Sequence, residues 1–211
     1  MKPRFASILV AVVALGTVEI LAQSASSPQA RTLADIEGSV FLNDQRVEDP
    51  TVPLTLQMDS VVRTEQGRAE VVLDGGAVLF LGDRSAVRSI YDQFSKASRT
   101  EMLAGSAILW TAGMRVAMEC EDKMRLSEFG IYRFDFNPSV PRSIDDVCSF
   151  KVFGGAATVQ LASLSTILKA GRRTGLNRHC GDMIQTDDFD TDLRDAFDRW
   201  SLDRMRRREG R

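Results

Sequence analysis

Hydrophobic and polar positions alternate most regularly over Thr64–Ile90, "TEQGRAEVVLDGGAVLFLGDRSAVRSI". Ala69, Val71 and Leu73 share one face of an extended chain, and Ala77, Leu79 and Leu81 share one again after Asp74-Gly75-Gly76. A period of two predicts half-buried strands, and the glycine pair predicts the turn between them. Similar short runs cover Ser39–Leu42, Val61–Arg63, Ala107–Thr111, Arg115–Cys120, Ile131–Phe136, Phe150–Phe153, Ala157–Leu161 and Ser165–Lys169, with Gly, Pro, Asn or Asp clusters between them. Short strands at this spacing predict an all-β body of twisted antiparallel sheets, a sandwich or a short β-coil, rather than βαβ units. The body is expected over residues 33–176, with Val71, Leu73, Leu79, Leu81, Val116, Met118, Tyr132, Phe134 and Val152 facing inward.

Some features interrupt this pattern. Ser89–Leu103 is more polar and reads as a loop or a helical turn crossing an edge. "GSVFL" at Gly38 recurs as "GSAIL" at Gly105, either a duplicated strand arrangement or two glycine-started strands alike by composition. Residues 177–211 read as a loop and a C-terminal α-helix from Asp190 to about Arg207, with Leu193, Phe197 and Trp200 on one stripe. A lone helix of that length is marginal in water, so the stripe is expected to dock on the β body or on a partner.

Asp188, Asp190 and Asp192 form D-x-D-x-D, but Leu193 and Arg199 stand where a calcium loop needs Gly and Glu. These acids read instead as caps of the helix, with Arg204 and Arg206–Arg208 at the other end of its dipole. Trp200, Arg204, Arg206, Arg207 and Arg208 form the candidate partner contact, the plainer reading being a solvated helix end.

Composition narrows the function. The 211 residues carry 27 basic and 29 acidic side chains and 44% hydrophobic content, enough for one domain with its own core. Near-neutral charge gives no footprint for nucleic acid or for an anionic membrane surface. Lys2 and Arg4 precede an apolar run from Phe5 to Val18, and small residues follow at Ala22 and Ser24. This is the layout of a secretory signal over residues 1–24, followed by a linker over 25–32. An uncleaved N-terminal anchor is the alternative, but the run is shorter than the roughly 20 residues a span requires. The product is expected to be periplasmic or secreted, without a stable membrane span after cleavage.

Export makes disulfides persistent, and Cys120, Cys148 and Cys180 allow three internal pairings. Cys120 and Cys148 lie at strand ends flanking the Tyr132 hairpin, so the expected bridge is Cys120–Cys148, with Cys180 free. The cysteines lack paired zinc spacing and His179 is the only histidine, so no metal is expected. His179 and Cys180 are adjacent and point to opposite sides of an extended chain, which disfavours a nucleophile pair. No G-x-S-x-G elbow is present, and the pairs Asp145-Asp146 and Asp187-Asp188 define no cleft. No catalytic residue and no cofactor are expected.

Taken in order, "IEGSVFLN", "VPLTLQMDSVVRTEQGRAEVVLDGGAVLFLGDRSAVR", "GIYRFDFN", "FKVFGGAATVQ" and "STILKAGRRTGL" resemble the FecR domain over Ile36 to about Leu176. The resemblance implies a non-enzymatic, all-β extracytoplasmic module. In the regulator that names the family, such a domain senses an outer-membrane transporter and relays its state through a membrane helix to a cytoplasmic sigma-factor-binding segment. Four residues precede the apolar run here, so a chain without its own sigma-factor-binding segment is expected. Expected partners are an envelope protein or a cell-wall glycan. The alternatives are a structural envelope component held by its tail, or a small hydrolase using His179 or a carboxylate pair.

Overall fold

The alternation at Thr64–Ile90 is one part of a larger sheet in the structure, a computed structural model describing residues 31–48, 53–92, 97–113, 115–120, 122–126, 129–139, 148–161, 164–176, 184 and 186–210. The expected signal, His179, Cys180 and Asp145-Asp146 lie outside the described residues. The first strands are β1 (Thr32–Leu42), β2 (Gln45–Arg46), β3 (Leu54–Thr55), β4 (Val61–Val72), β5 (Val78–Leu81), β6 (Ala86–Asp92) and β7 (Ala97–Ala112). After them come β8 (Ala117–Cys120), β9 (Asp122–Leu126), β10 (Phe129–Phe136) and β11 (Cys148–Gly154). The last strands are β12 (Ala156–Leu161), β13 (Leu164–Lys169), β14 (Arg172–Leu176) and β15 (Thr186–Asp188), and α1 (Ala196–Glu209) closes the chain. The protein is all-β with a C-terminal helix, and its pairing is antiparallel apart from a two-residue parallel contact between β7 and β8.

Three strands are much longer than the sequence pattern predicts. Val61–Arg63 and Ala69–Val72 belong to one strand, β4, and much of the expected Ser89–Leu103 loop belongs to β6 and β7. The folded body starts before Leu33, because Thr32 opens β1 and Arg31 is buried against Asp74, Ser89 and Thr100. Long strands let one sheet turn a corner: β6 pairs with the first part of β4 and of β7, while β5 pairs with the second part of each. Gly38 and Gly67 face each other on β1 and β4 beside a register shift, and Gly105 has φ +83° in mid-β7. Thr64 and Ser85 fasten the corner: the Thr64 hydroxyl donates to the Gly82 carbonyl at 2.5 Å, and the Ser106 amide donates to Ser85 Oγ at 2.9 Å.

The inner face is apolar and continuous. Leu33, Val71, Leu79, Leu109, Tyr132, Phe134, Phe150, Val152, Val159 and Leu168 lie in one buried cluster, as alternation requires. Of the residues expected inward, Val71, Leu73, Leu79, Leu81, Met118, Tyr132, Phe134 and Val152 are buried, and Val116 packs against the cluster while partly buried. Strand β5 departs from half-burial: Val78 and Phe80, on its opposite face, are also buried, because α1 covers them.

Candidate functional site

Five consecutive neighbours, β1, β4, β5, β7 and β10, present an outer face whose chemistry changes from strand to strand. Register aligns Glu70 of β4 with Phe80 of β5, Ile108 of β7 and Arg133 of β10. Asp35 and Glu37 of β1 lie beyond Glu70, so the face runs from carboxylates through an apolar middle to a guanidinium. Five strands span about 19 Å between the outermost, and a helix of 14 residues is about 21 Å long. Helix α1 lies across this face, each end meeting the charge that suits it.

The helix starts on the guanidinium. Asp195 is its N-cap: Asp195 Oδ1 accepts from the Asp198 amide at 2.8 Å, and Asp198 Oδ2 accepts from the Asp195 amide at 3.0 Å, a reciprocal capping box. Arg133 Nη1 donates to both carboxylates, at 2.6 Å to Asp195 and 2.8 Å to Asp198, while its Nε holds Asp135. Burial opposes ionisation of Asp195, but the Asp198 amide and Arg133 outweigh it and hold its carboxyl below the usual carboxylate range.

The middle of the helix is aromatic. Phe80 and Trp200 meet edge to face, with ring centroids 5.8 Å apart, and Phe197 stacks near Trp200 over Gly82. Met205 joins Val78, Phe80 and Ile108 in a small buried cluster. Two guanidiniums flank the indole, Arg204 at 4.8 Å and Arg68 at 5.2 Å from the ring, and Trp200 Nε1 donates to Glu37 at 3.1 Å.

At the far end Arg204 pairs with Asp35, Glu37 and Glu70, and Arg208 pairs with Glu70, a buried carboxylate. Burial pushes the Glu37 carboxyl up, yet the hydrogen bonds from Trp200 and Arg204 and the charges of Arg204 and Arg68 keep it below its ordinary value. An open groove of about 450 Å³ adjoins these pairs, lined by Ala34, Asp35, Glu70, Arg204, Arg207 and Arg208.

The residues read from the sequence as a partner contact therefore divide. Trp200, Arg204 and Arg208 are engaged by the body of their own chain, whereas Arg206 and Arg207 are exposed on the helix. Two expectations for the tail are corrected. The helix begins at Ala196, not Asp190, so Leu193 precedes it and is 77% exposed. The acids expected as caps do not cap: Asp188 pairs with Arg172 from β15, and Asp190 accepts from the Asp192 amide in a turn. The chain must reach Arg133 before a capped helix can begin, and that demand overrides the acid-rich segment.

The acids on β1 and β4 and Arg133 escape sequence reasoning because each reads as an ordinary solvent-facing residue of a strand. Their sole signal is position, outward on strands whose apolar residues face inward. Cys148 is fully buried and disulfide-bonded, and the side chains of Cys120 and Cys180 lie outside those described. Asp187, of the carboxylate pair Asp187-Asp188, lies 3.9 Å from Arg173. Among the described residues no group of three or more His, Cys, Asp or Glu side chains is placed to hold a metal, and no helix is long and apolar enough to cross a membrane.

No protein-family model matches the chain, and no curated protein matches it. Among solved structures, two crystal structures from Parabacteroides distasonis ATCC 8503, each of a "putative anti-sigma factor", share the fold, at TM-scores of 0.51 and 0.50 and identities of 15% and 14%. Each match covers 62% of this chain, which spans 60% of the length of either solved chain.

Proposed function

We propose that the chain is a non-catalytic, exported binding and signalling module of the FecR type, which recognises a protein or a cell-wall component of the bacterial envelope. The carrying observation is that segments resembling the FecR domain from Ile36 to Leu176 are strands of one sheet, whose fold recurs in the Parabacteroides anti-sigma candidates. The fold likeness supports a regulatory role in general terms; the envelope setting rests on the signal-like N-terminus. In this reading the partner is a protein or a cell-wall glycan and no cofactor takes part.

Affinity capture from envelope extract with the mature protein as bait tests it. Saturable, stoichiometric recovery of one envelope component supports the proposal. Hydrolysis of envelope substrates that disappears in His179→Ala would replace it with an enzymatic reading. An N-terminal reporter fusion active only outside the cytoplasm tests export separately.

A further inference from the structure

The face crossed by α1 has the features of a receptor for a helix, and its present occupant is held in a way that allows exchange. Both ends are specific and directional: Arg133 takes acids at a helix start, while Asp35, Glu37 and Glu70 take arginines three turns later. Between them, Phe80 and Ile108 receive aromatic side chains three residues apart. A helix inserted backwards would place like charges together at both ends, so the face reads polarity as well as shape.

Four observations make the occupant replaceable. Among the described residues, the sheet offers the helix only three fully buried apolar side chains, Val78, Phe80 and Ile108, with Trp110 and Ile131 partly buried beside them. The remaining hold is largely ion pairs, and several of these carboxylates are near half-exposed: Asp195 at 51%, Glu37 at 47% and Asp35 at 45%. The segment leading into the helix, Asp190–Asp195, is held to the sheet by no strand pairing, and Asp190, Asp192 and Leu193 are exposed. The groove beside Arg204 and Arg208 leaves the arginine clamp open on one side, which gives a competing helix a point of entry.

We propose that this face is a docking site for an amphipathic helix of a partner protein, acidic in its first turn and arginine-bearing in its last, and that α1 occupies it in cis until such a helix displaces it. The inference rests on the binding-module reading only for the existence of a protein partner.

The test uses the full chain and, as probe, a fluorescein-labelled peptide of residues 190–210 of this sequence, followed by anisotropy at low salt. Trp200→Ala weakens the cis occupant and leaves the sheet face unchanged, so this chain should bind the peptide at least about tenfold more tightly than wild type. Arg204→Ala should act in the same direction, which guards against a folding defect in either variant. Adding Arg133→Ala to Trp200→Ala should abolish the gain. Equal binding by wild type and both variants, or tight binding indifferent to Arg133, overturns the proposal. Envelope capture unaffected by excess unlabelled peptide, with no peptide binding, would leave the binding-module reading standing and this inference refuted. Peptide binding as expected without any envelope capture would do the reverse.

Discussion

Single glycines decide where this sheet turns. A Cβ on Gly105 would lie 2.4 Å from the Arg84 carbonyl and from Ser85 Oγ, at φ +83°. One on Gly76 would meet nothing within 4 Å, at a similar φ of +84°. The pair separates backbone strain from steric exclusion. Gly76→Ala is expected to cost about 1–2 kcal/mol, the left-handed penalty alone. Gly105→Ala should cost more than about 3 kcal/mol, because the corner must also move. Urea unfolding midpoints check the order, and equal losses would mean that the corner yields freely. The recurrence of "GSVFL" and "GSAIL" was legible in the sequence and has a physical basis: Gly38 and Gly105 both take positive φ within long strands, beside register shifts or strand exchange. What remained hidden was that neither glycine starts its strand. Each bends it, and apolar alternation carries no mark of a bend.

The helix shows why element boundaries resist reading. Its aromatic pair, Phe197 and Trp200, was legible from spacing, but Leu193 extended the stripe into a segment that is not helical. The true start is fixed by Arg133, 62 residues away in sequence, and no local pattern contains that partner. Asp195→Ala removes the cap and one ligand of Arg133, and should destabilise docking by about 1 kcal/mol. Trp200→Ala removes the central aromatic, and should lower the melting temperature by the equivalent of about 1.5–3 kcal/mol. Unchanged melting in both variants would mean that the helix is a loose appendage.

Docking should also respond to acid. Glu37 and Asp195 are held below ordinary values of 4.5 and 3.8 by their hydrogen-bond donors and arginines. A carboxylate depressed in the folded state contributes stability that is complete above its unfolded value and is lost as pH falls through the folded one. The helix should therefore hold at pH 7 and loosen below about pH 4, and more readily at high salt. Trp200 fluorescence in a Trp110→Phe chain follows the release, and Glu37→Gln should flatten the transition. A profile unchanged from pH 7 to 3 would exclude this electrostatic account.

At the scale of the molecule, fold class was legible because apolar alternation and turn residues recur throughout the chain. Strands such as β9, β14 and β15 were not, since "DKMRL", "RRTGL" and "TDD" are edge-like and polar, and their pairing is set by neighbours already in the sheet. The disulfide brings fold and compartment together. Cys148 is fully buried, opposite Phe136 on β10 and Leu176 on β14, and it is bonded. A sulfur placed there shields its bridge from reductant and ties β11 to whichever segment carries the partner. With Cys120 as that partner, the closed loop encloses β9 and β10, and the cross-link should contribute about 3 kcal/mol by chain entropy. Peptide mapping of the non-reduced protein is then expected to find Cys120 linked to Cys148 and Cys180 open to alkylation. Cys120→Ser and Cys148→Ser should lower the melting temperature alike, while Cys180→Ser should not. Mapping that links Cys148 to Cys180 would refute the pairing and make the tail loop, rather than β8, the segment bound to the core. Protein recovered from an oxidising compartment with all three thiols open would refute the bridge while leaving export standing.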